Sequence, residues 1–174
     1  MSSLKLFYLT LLTVFITIFV ESINLLLQLK SNKLSEWFGR NAFKYHMFTT
    51  IFFWLLTFSL IIILQFKAHP LFHSSIFLKY TGVLFMIGGS ILSIWGFIIL
   101  GIKRSLCLNF FKEGVPIIKS SIYKYIKNPE DYGLWLALLG LAFFTGSLYN
   151  LVIALEFIVL MIPHMIIENI PLDR

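Results

Sequence analysis

Long apolar stretches alternate with short polar segments along the chain. Three of the apolar stretches, residues 5–29, 46–66 and 77–102, are interrupted by few charged residues. Each is long enough for a helix to cross about 30 Å of hydrocarbon, which takes about 20 residues. The pattern therefore predicts three membrane-spanning helices in the first 102 residues.

Two further apolar stretches, residues 133–146 and 149–167, follow closely on each other. The residues that divide them are of types that favour turns: Thr145, Gly146, Ser147 and Asn150. We expect a tight helical hairpin whose first arm begins near Glu130, because residues 133–146 alone are short for a membrane crossing. The predicted fold is an all-α polytopic membrane protein with about five transmembrane helices and a C-terminal helical hairpin.

Composition agrees with a membrane protein, since 59% of the residues are hydrophobic and only 13% are charged. We interpret residues 1–174 as one integral membrane domain. Residues 1–102 would carry the first three helices, 103–132 a cytoplasmic or interfacial connector, and 133–174 the hairpin with a cofactor-binding C-terminus. The net charge of +6 does not indicate nucleic-acid binding, because the basic residues lie in loops between apolar helices, where positive charge sets orientation.

The loop charges predict that orientation. Three basic residues fall on one side of the predicted membrane: Lys5, Lys67 and Lys79. Ten fall on the other side: Lys30, Lys33, Arg40, Lys44, Lys103, Arg104, Lys112, Lys119, Lys124 and Lys127. Because cytoplasmic loops are enriched in Lys and Arg, we expect the N-terminus outside and the C-terminus in the cytoplasm.

Small residues predict how two of the helices pack. Gly82, Gly89 and Gly96 recur every seven residues in the third apolar stretch. Gly133, Ala137 and Gly140 form a similar series in the fourth. Such faces allow helix backbones to approach closely.

The polar segment 119–133, KSSIYKYIKNPEDYG, stands directly before the hairpin. Polar groups at the edge of a membrane helix are costly unless they are satisfied, which makes the segment a candidate functional region. On the predicted topology it shares the cytoplasmic side with the end of the last helix, where His164 and Glu168 project from one face. The groups gathered there would be Tyr123, Tyr125, Asn128, His164, Glu168 and Asn169. They offer acceptors and aromatic faces but no strong nucleophile, which suits a nucleotide-like cofactor.

Other interpretations of these polar residues stay open. His164 alone could be a packing histidine, Glu156 could bond a neighbouring helix, and Glu21 could pair with a loop lysine. No metal site is expected, because His46, His69 and His73 are far from His164 in sequence. The single Cys107 allows no internal disulfide and is interpreted as a small apolar core residue.

The sequence SSIYKYIKNPEDYG, the hairpin with a Gly-Ser turn, and the later IIENIPL together resemble a group of membrane methyltransferases. This group contains the isoprenylcysteine carboxyl methyltransferases and the phospholipid N-methyltransferases, and the resemblance covers roughly residues 100–172. The matching positions are Tyr123, Tyr125, Pro129, Gly133, Glu168 and Leu172, with Lys124 and Lys127 keeping the family's positive charge. Asn128 replaces a family His, Asp131 stands at the usual Tyr position, Ser121 and Ile122 replace Gly-Pro, and Asn169 replaces a second Glu.

The resemblance implies a cytosolic pocket for S-adenosylmethionine that a lipid substrate reaches from the bilayer. The implied cofactor-binding residues are Tyr123, Tyr125, Asn128, Pro129, Tyr132, Gly133, Glu168 and Asn169. If the acceptor is an amine, its proton must be removed, and the candidate catalytic residues are Glu168, His164 and Asp131.

The sequence-based hypothesis is therefore an S-adenosylmethionine-dependent methyltransferase acting on a lipid or lipidated acceptor, with a phospholipid amine favoured over a prenylcysteine carboxylate. It would reside in a bacterial or archaeal cytoplasmic membrane or in the endoplasmic reticulum. One alternative is an NADPH-dependent sterol-type reductase. Asp131-Tyr132-Gly133 loosely resembles a motif of those reductases. Another is a catalytically silent membrane scaffold of the same fold.

Overall fold

Seven α-helices make up most of the computed structural model, which describes residues 2–67, 71–72, 75–112 and 121–170. They are α1 (Ser3–Ser31), α2 (Lys33–Phe38), α3 (Ala42–Gln65), α4 (Ile76–Leu100), α5 (Ile102–Ser105), α6 (Pro129–Thr145) and α7 (Leu148–Glu168). The described residues contain no β-strand. The all-helical prediction is thus confirmed. Lys119, His69, His73 and Leu172, which the sequence interpretation used, lie outside the described residues.

Within the described residues, four helical segments are long and apolar enough to cross a membrane: Ser3–Ser31, Lys33–Gln65, Ile76–Leu100 and Leu148–Glu168. The protein is therefore a multi-pass membrane protein. α6 is not among the four segments, since its 17 residues rise only about 26 Å. The predicted number of about five crossings and their orientation stay predictions.

The C-terminal hairpin forms as predicted. α6 begins at Pro129, one residue before the expected start, and ends at Thr145. Gly146 then adopts a positive φ of 62°, which an L side chain rarely allows. Ser147 caps α7, because its hydroxyl accepts a hydrogen bond from the backbone N–H of Asn150 at 3.2 Å.

The glycine faces of α4 and α6 pack against each other. A Cβ atom built on Gly89 would lie 2.5 Å from the carbonyl oxygen of Gly133 and 2.6 Å from the backbone nitrogen of Ala137. One built on Gly82 would lie 2.7 Å from the carbonyl oxygen of Gly140. The predicted close approach is confirmed, and the two helices run antiparallel along this contact.

Polar contacts join the other long helices. Thr17 of α1 and Thr57 of α3 share a hydrogen bond at 2.8 Å. Gln65 at the end of α3 exchanges two side-chain hydrogen bonds with Asn150 at the start of α7, at 2.9 and 3.1 Å. Together with the other contacts between these helices, these pairings make α1 antiparallel to α3 and parallel to α7. One end of the bundle therefore collects the ends of α1, α4 and α7 and the beginnings of α3 and α6.

Candidate functional site

The carboxylate of Glu168, the last residue of α7, accepts hydrogen bonds from two other parts of the chain. The thiol of Cys107 donates to Oε1 at 2.9 Å, and the side-chain amide of Asn128 donates to Oε2. His164, one helical turn earlier, places Nε2 3.3 Å from Oε1. Glu168 thus joins the segment after α4, the residue before α6, and α7 itself.

His164 is held on both ring nitrogens. Its side chain is 2% exposed, and Nδ1 lies 3.0 Å from the hydroxyl oxygen of Ser22 in α1. Because α7 continues helically through Pro163, His164 and Glu168 share one face at the spacing that brings side chains together. α1 and α7 together fix the orientation of this imidazole.

Asn128 is positioned by its backbone conformation. It precedes α6 with a φ of 51°, in the left-handed region that Asn tolerates better than most residues. Its carbonyl oxygen Oδ1 accepts a hydrogen bond from the Asn169 side-chain amide at 2.8 Å. The two residues that replace a family His and a family Glu therefore contact each other beside Glu168.

Cys107 is buried, as the sequence interpretation expected, but its bond to Glu168 was not foreseen. Burial, together with the nearby Glu168 carboxylate, raises the pKa of the thiol well above its usual range. The thiol therefore stays protonated at neutral pH, so it serves as a donor and not as a nucleophile.

Two further carboxylates lie within electrostatic range of His164. Glu21 of α1 is only 5% exposed and accepts a hydrogen bond from the indole N–H of Trp54 at 3.1 Å. Asp131, in the first turn of α6, interacts electrostatically with Glu168, His164 and Glu21. Burial, with the Glu168 and Glu130 carboxylates nearby, raises the pKa of Asp131 well above its usual range, so Asp131 does not add a fixed negative charge to that of Glu168.

Tyr123 forms a neighbouring contact that does not involve Glu168 directly. Its hydroxyl donates to Oε2 of Glu130 at 2.7 Å and lies 3.2 Å from the carbonyl oxygen of Gly96. Burial and the bond to Glu130 raise the pKa of Tyr123, so the hydroxyl stays protonated. Tyr123 thereby ties the segment before α6 to both α4 and α6.

The remaining residues of the predicted cofactor set make no described contact with Glu168. Tyr125 is 79% exposed under the ammonium of Lys124, which lies 5.6 Å from its ring centre. Tyr132 is 40% exposed. Pro129 and Gly133 pack against α4, so their place in the pattern is explained by helix packing.

Sequence reasoning missed several members of the cluster. No sequence feature predicted that Ser22 belongs to the cluster, apart from its position next to Glu21 in an apolar helix. Glu130 was used only as a helix start. His46 of α3 is fully buried, its ring stacks on Phe111 at a centroid distance of 5.2 Å, and it interacts electrostatically with His164 and Glu168. These contacts join residues far apart in sequence, so no local pattern could reveal them.

Fold and site together define a multi-pass helical membrane protein with a buried polar cluster at one end of its bundle. Residues 78–174, more than half of the chain, match the family model described as phospholipid methyltransferase. The chain belongs to the phospholipid methyltransferase family, as its sequence motifs suggested. No curated protein and no solved structure matches the chain. The matched region extends beyond the resembling residues 100–172 to include α4, the helix that packs on α6.

Proposed function

We propose that this protein transfers a methyl group from S-adenosylmethionine to the amine of a phospholipid. The family is one of membrane methyltransferases, which supports the reaction class. The identities of the methyl donor and of the methyl acceptor go beyond the reaction class and are part of the proposal. The site would face the cytoplasm, the side predicted from the loop charges.

The observation that carries the proposal is the convergence on Glu168. The two sequence segments of the resemblance lie 40 residues apart, and the Asn128–Glu168 hydrogen bond joins them. A second bond, between Asn128 and Asn169, continues the contact. Of the residues implied to bind the cofactor, Asn128, Glu168 and Asn169 therefore lie together.

The residues present fit the proposed cofactor. When bound, S-adenosylmethionine supplies an already activated methyl group on a positively charged sulfur. Glu168 provides negative charge for such a cation. A carboxylate has about four acceptor positions. Glu168 has three described partners, which are Cys107, Asn128 and His164. One position is therefore left for a ligand hydroxyl.

An amine acceptor must also lose a proton when its nitrogen takes up the methyl group. Glu168, His164 and Asp131 are the basic groups gathered at this point, and the contact between His164 and Glu168 allows a proton to pass between them. The remaining task is to align two bound molecules and exclude water, which lowers the barrier by several kcal/mol.

The alternatives receive less support. A reductase would use Asp131-Tyr132-Gly133 as a binding motif, but Gly133 packs against Gly89 of α4 and the family match names a methyltransferase. A silent scaffold would not require the carboxylates to be gathered around one imidazole.

Calorimetry in detergent distinguishes these possibilities. We expect the protein to bind S-adenosylmethionine and its demethylated product, S-adenosylhomocysteine, and not NADPH. Glu168→Gln keeps the shape of the side chain but removes its charge, so it should weaken binding of S-adenosylmethionine, whose sulfur is positively charged, at least tenfold, about 1.4 kcal/mol.

Glu156→Gln is the matched control. Glu156 lies on the same helix, and its Oε2 has no hydrogen-bond partner in the described structure, so this variant should bind like the wild type. Equal affinity in a folded Glu168→Gln variant would remove Glu168 from the proposed cofactor site. Binding of NADPH alone would support the reductase, and binding of none of the three ligands would support the scaffold.

A further inference from the structure

A shallow, open cleft of about 400 Å³ lies on the surface where α4 ends and the chain turns toward Cys107. The turn occurs at Gly101, whose φ of 75° suits glycine. The cleft is lined by Leu100, Gly101, Ile102, Lys103, Arg104 and Leu108. It therefore combines apolar walls with two cationic side chains.

Arg104 is the unusual member of this lining. It is half-buried, yet its guanidinium has no ion pair or hydrogen bond within the described part of the chain. Lys103 is exposed and behaves as the basic residues beside membrane helices ordinarily do. A partly buried guanidinium without a partner among the described residues favours an external anion, and its planar set of donors matches the oxygens of a phosphate.

The chain segment that lines the cleft is linked to Glu168 through two hydrogen bonds. The backbone N–H of Cys107 donates to the carbonyl oxygen of Arg104 at 2.8 Å, and the Cys107 thiol donates to Glu168 at 2.9 Å. Leu108, which follows Cys107, lines the cleft itself. The segment that lines the cleft therefore also carries the Cys107 donor to Glu168.

The apolar surface beside the cleft suits an acyl chain. Ile98 of α4 is 74% exposed and Ile102 is 72% exposed, and both belong to or adjoin a helix apolar enough to cross a membrane. Lipid tails would cover this surface in a bilayer. The cleft thus joins a lipid-facing surface to a cationic group.

We propose that this cleft binds the phosphodiester of the acceptor phospholipid, with Arg104 as its principal ligand and Lys103 assisting. In an aminoethyl phospholipid only two carbon atoms separate the phosphate ester oxygen from the amine. An amine on that linker would be directed toward Glu168 and Asp131 while the acyl chains follow α4. This assignment rests on the proposed function and names the part of the substrate that the enzyme recognises.

The test measures lipid binding without any methyl donor. A short-chain phosphatidylethanolamine, dihexanoyl-phosphoethanolamine below its micellar concentration, is titrated into the full-length protein in detergent. We expect Arg104→Gln to weaken its binding at least tenfold and Arg104→Lys to weaken it less, since Lys keeps the charge but loses the paired donors. Arg40→Gln is the control, because Arg40 is a basic residue in another loop at the same end of the bundle and does not line the cleft.

Two further titrations identify the ligand and separate this proposal from the proposed function. Inorganic phosphate should compete weakly with the lipid, and competition at equal concentration would overturn the assignment to a phospholipid. S-adenosylhomocysteine should bind wild type and Arg104→Gln alike. Its failure to bind either protein would contradict the proposed function, whereas unchanged lipid affinity in both Arg104 variants would contradict the cleft assignment alone.

Discussion

At the level of single side chains, the central contact is the His164 imidazole held between Glu168 and Ser22. The hydrogen bond to Ser22 orients the ring and leaves its other nitrogen for Glu168. Orientation of a histidine by a second partner is a common way to fix which nitrogen carries the proton. Ser22 lies in α1, outside the family-matched residues 78–174, so the first helix contributes a positioning residue to the site.

Replacing Ser22 tests this role. Ser22→Ala leaves one nitrogen of a buried imidazole without its partner, at a cost of roughly 1 kcal/mol, and we expect kcat to fall about five- to tenfold. Affinity for S-adenosylhomocysteine should not change, because Ser22 contacts His164 and not Glu168. Steady-state kinetics together with calorimetry measure the two effects.

Ser22→Thr, which keeps the hydroxyl, should recover most of the lost rate. Ser59→Ala is a suitable control, since the Ser59 hydroxyl bonds only the Leu55 carbonyl oxygen of its own helix. A parallel loss of kcat and cofactor affinity in Ser22→Ala would show a general structural effect and contradict the positioning role.

At the level of helices, the site depends on the contact between α4 and α6. This contact places Asn128 and Asp131 beside the end of α7, because α6 is held along its length by the glycine face of α4. The seven-residue spacing of Gly82, Gly89 and Gly96 predicted a close-packing face. It could not identify the partner helix, because local periodicity carries no information on which distant segment fills the face.

Two adjacent glycines of α4 provide a matched test of this packing. A Cβ on Gly89 would overlap the α6 backbone, whereas one on Gly88 would meet nothing within 4 Å. Gly89→Ala should therefore destabilise the protein by about 1–3 kcal/mol, while Gly88→Ala should leave stability unchanged or raise it through better helix propensity. Thermal unfolding in detergent measures both, and equal melting temperatures for the two variants would contradict the packing.

For the whole molecule, the arrangement of helices places the described residues of both basic loops at the end that holds Glu168. The described residues of the loops 30–44 and 103–128 meet there because α1 and α4 both end at that side. The orientation of this end toward the cytoplasm stays a prediction, which a reporter fused to the C-terminus would decide. The division of residues 1–174 into three parts also stays a prediction.

The sequence predicted the helices and the hairpin because apolar length and turn residues are local properties. It also led to Glu168, His164 and Asn128, since a charged or amide group near an apolar helix stands out against its surroundings. It did not separate Gly133 and Pro129, which pack on α4, from residues that approach Glu168. Nor did it find Ser22 or the Cys107 bond, which depend on helices brought together only by folding.

The Glu168 cluster is proposed to transfer a methyl group to a phospholipid amine. The most direct measurement uses purified protein in liposomes of phosphatidylethanolamine and phosphatidylcholine, supplied with S-adenosylmethionine that carries a labelled methyl group. We predict label on the phosphatidylethanolamine nitrogen with the wild type, roughly a hundredfold less with Glu168→Gln, and a wild-type rate with Glu156→Gln. Absence of labelled lipid with folded wild-type protein, or equal labelling by Glu168→Gln, would contradict the account.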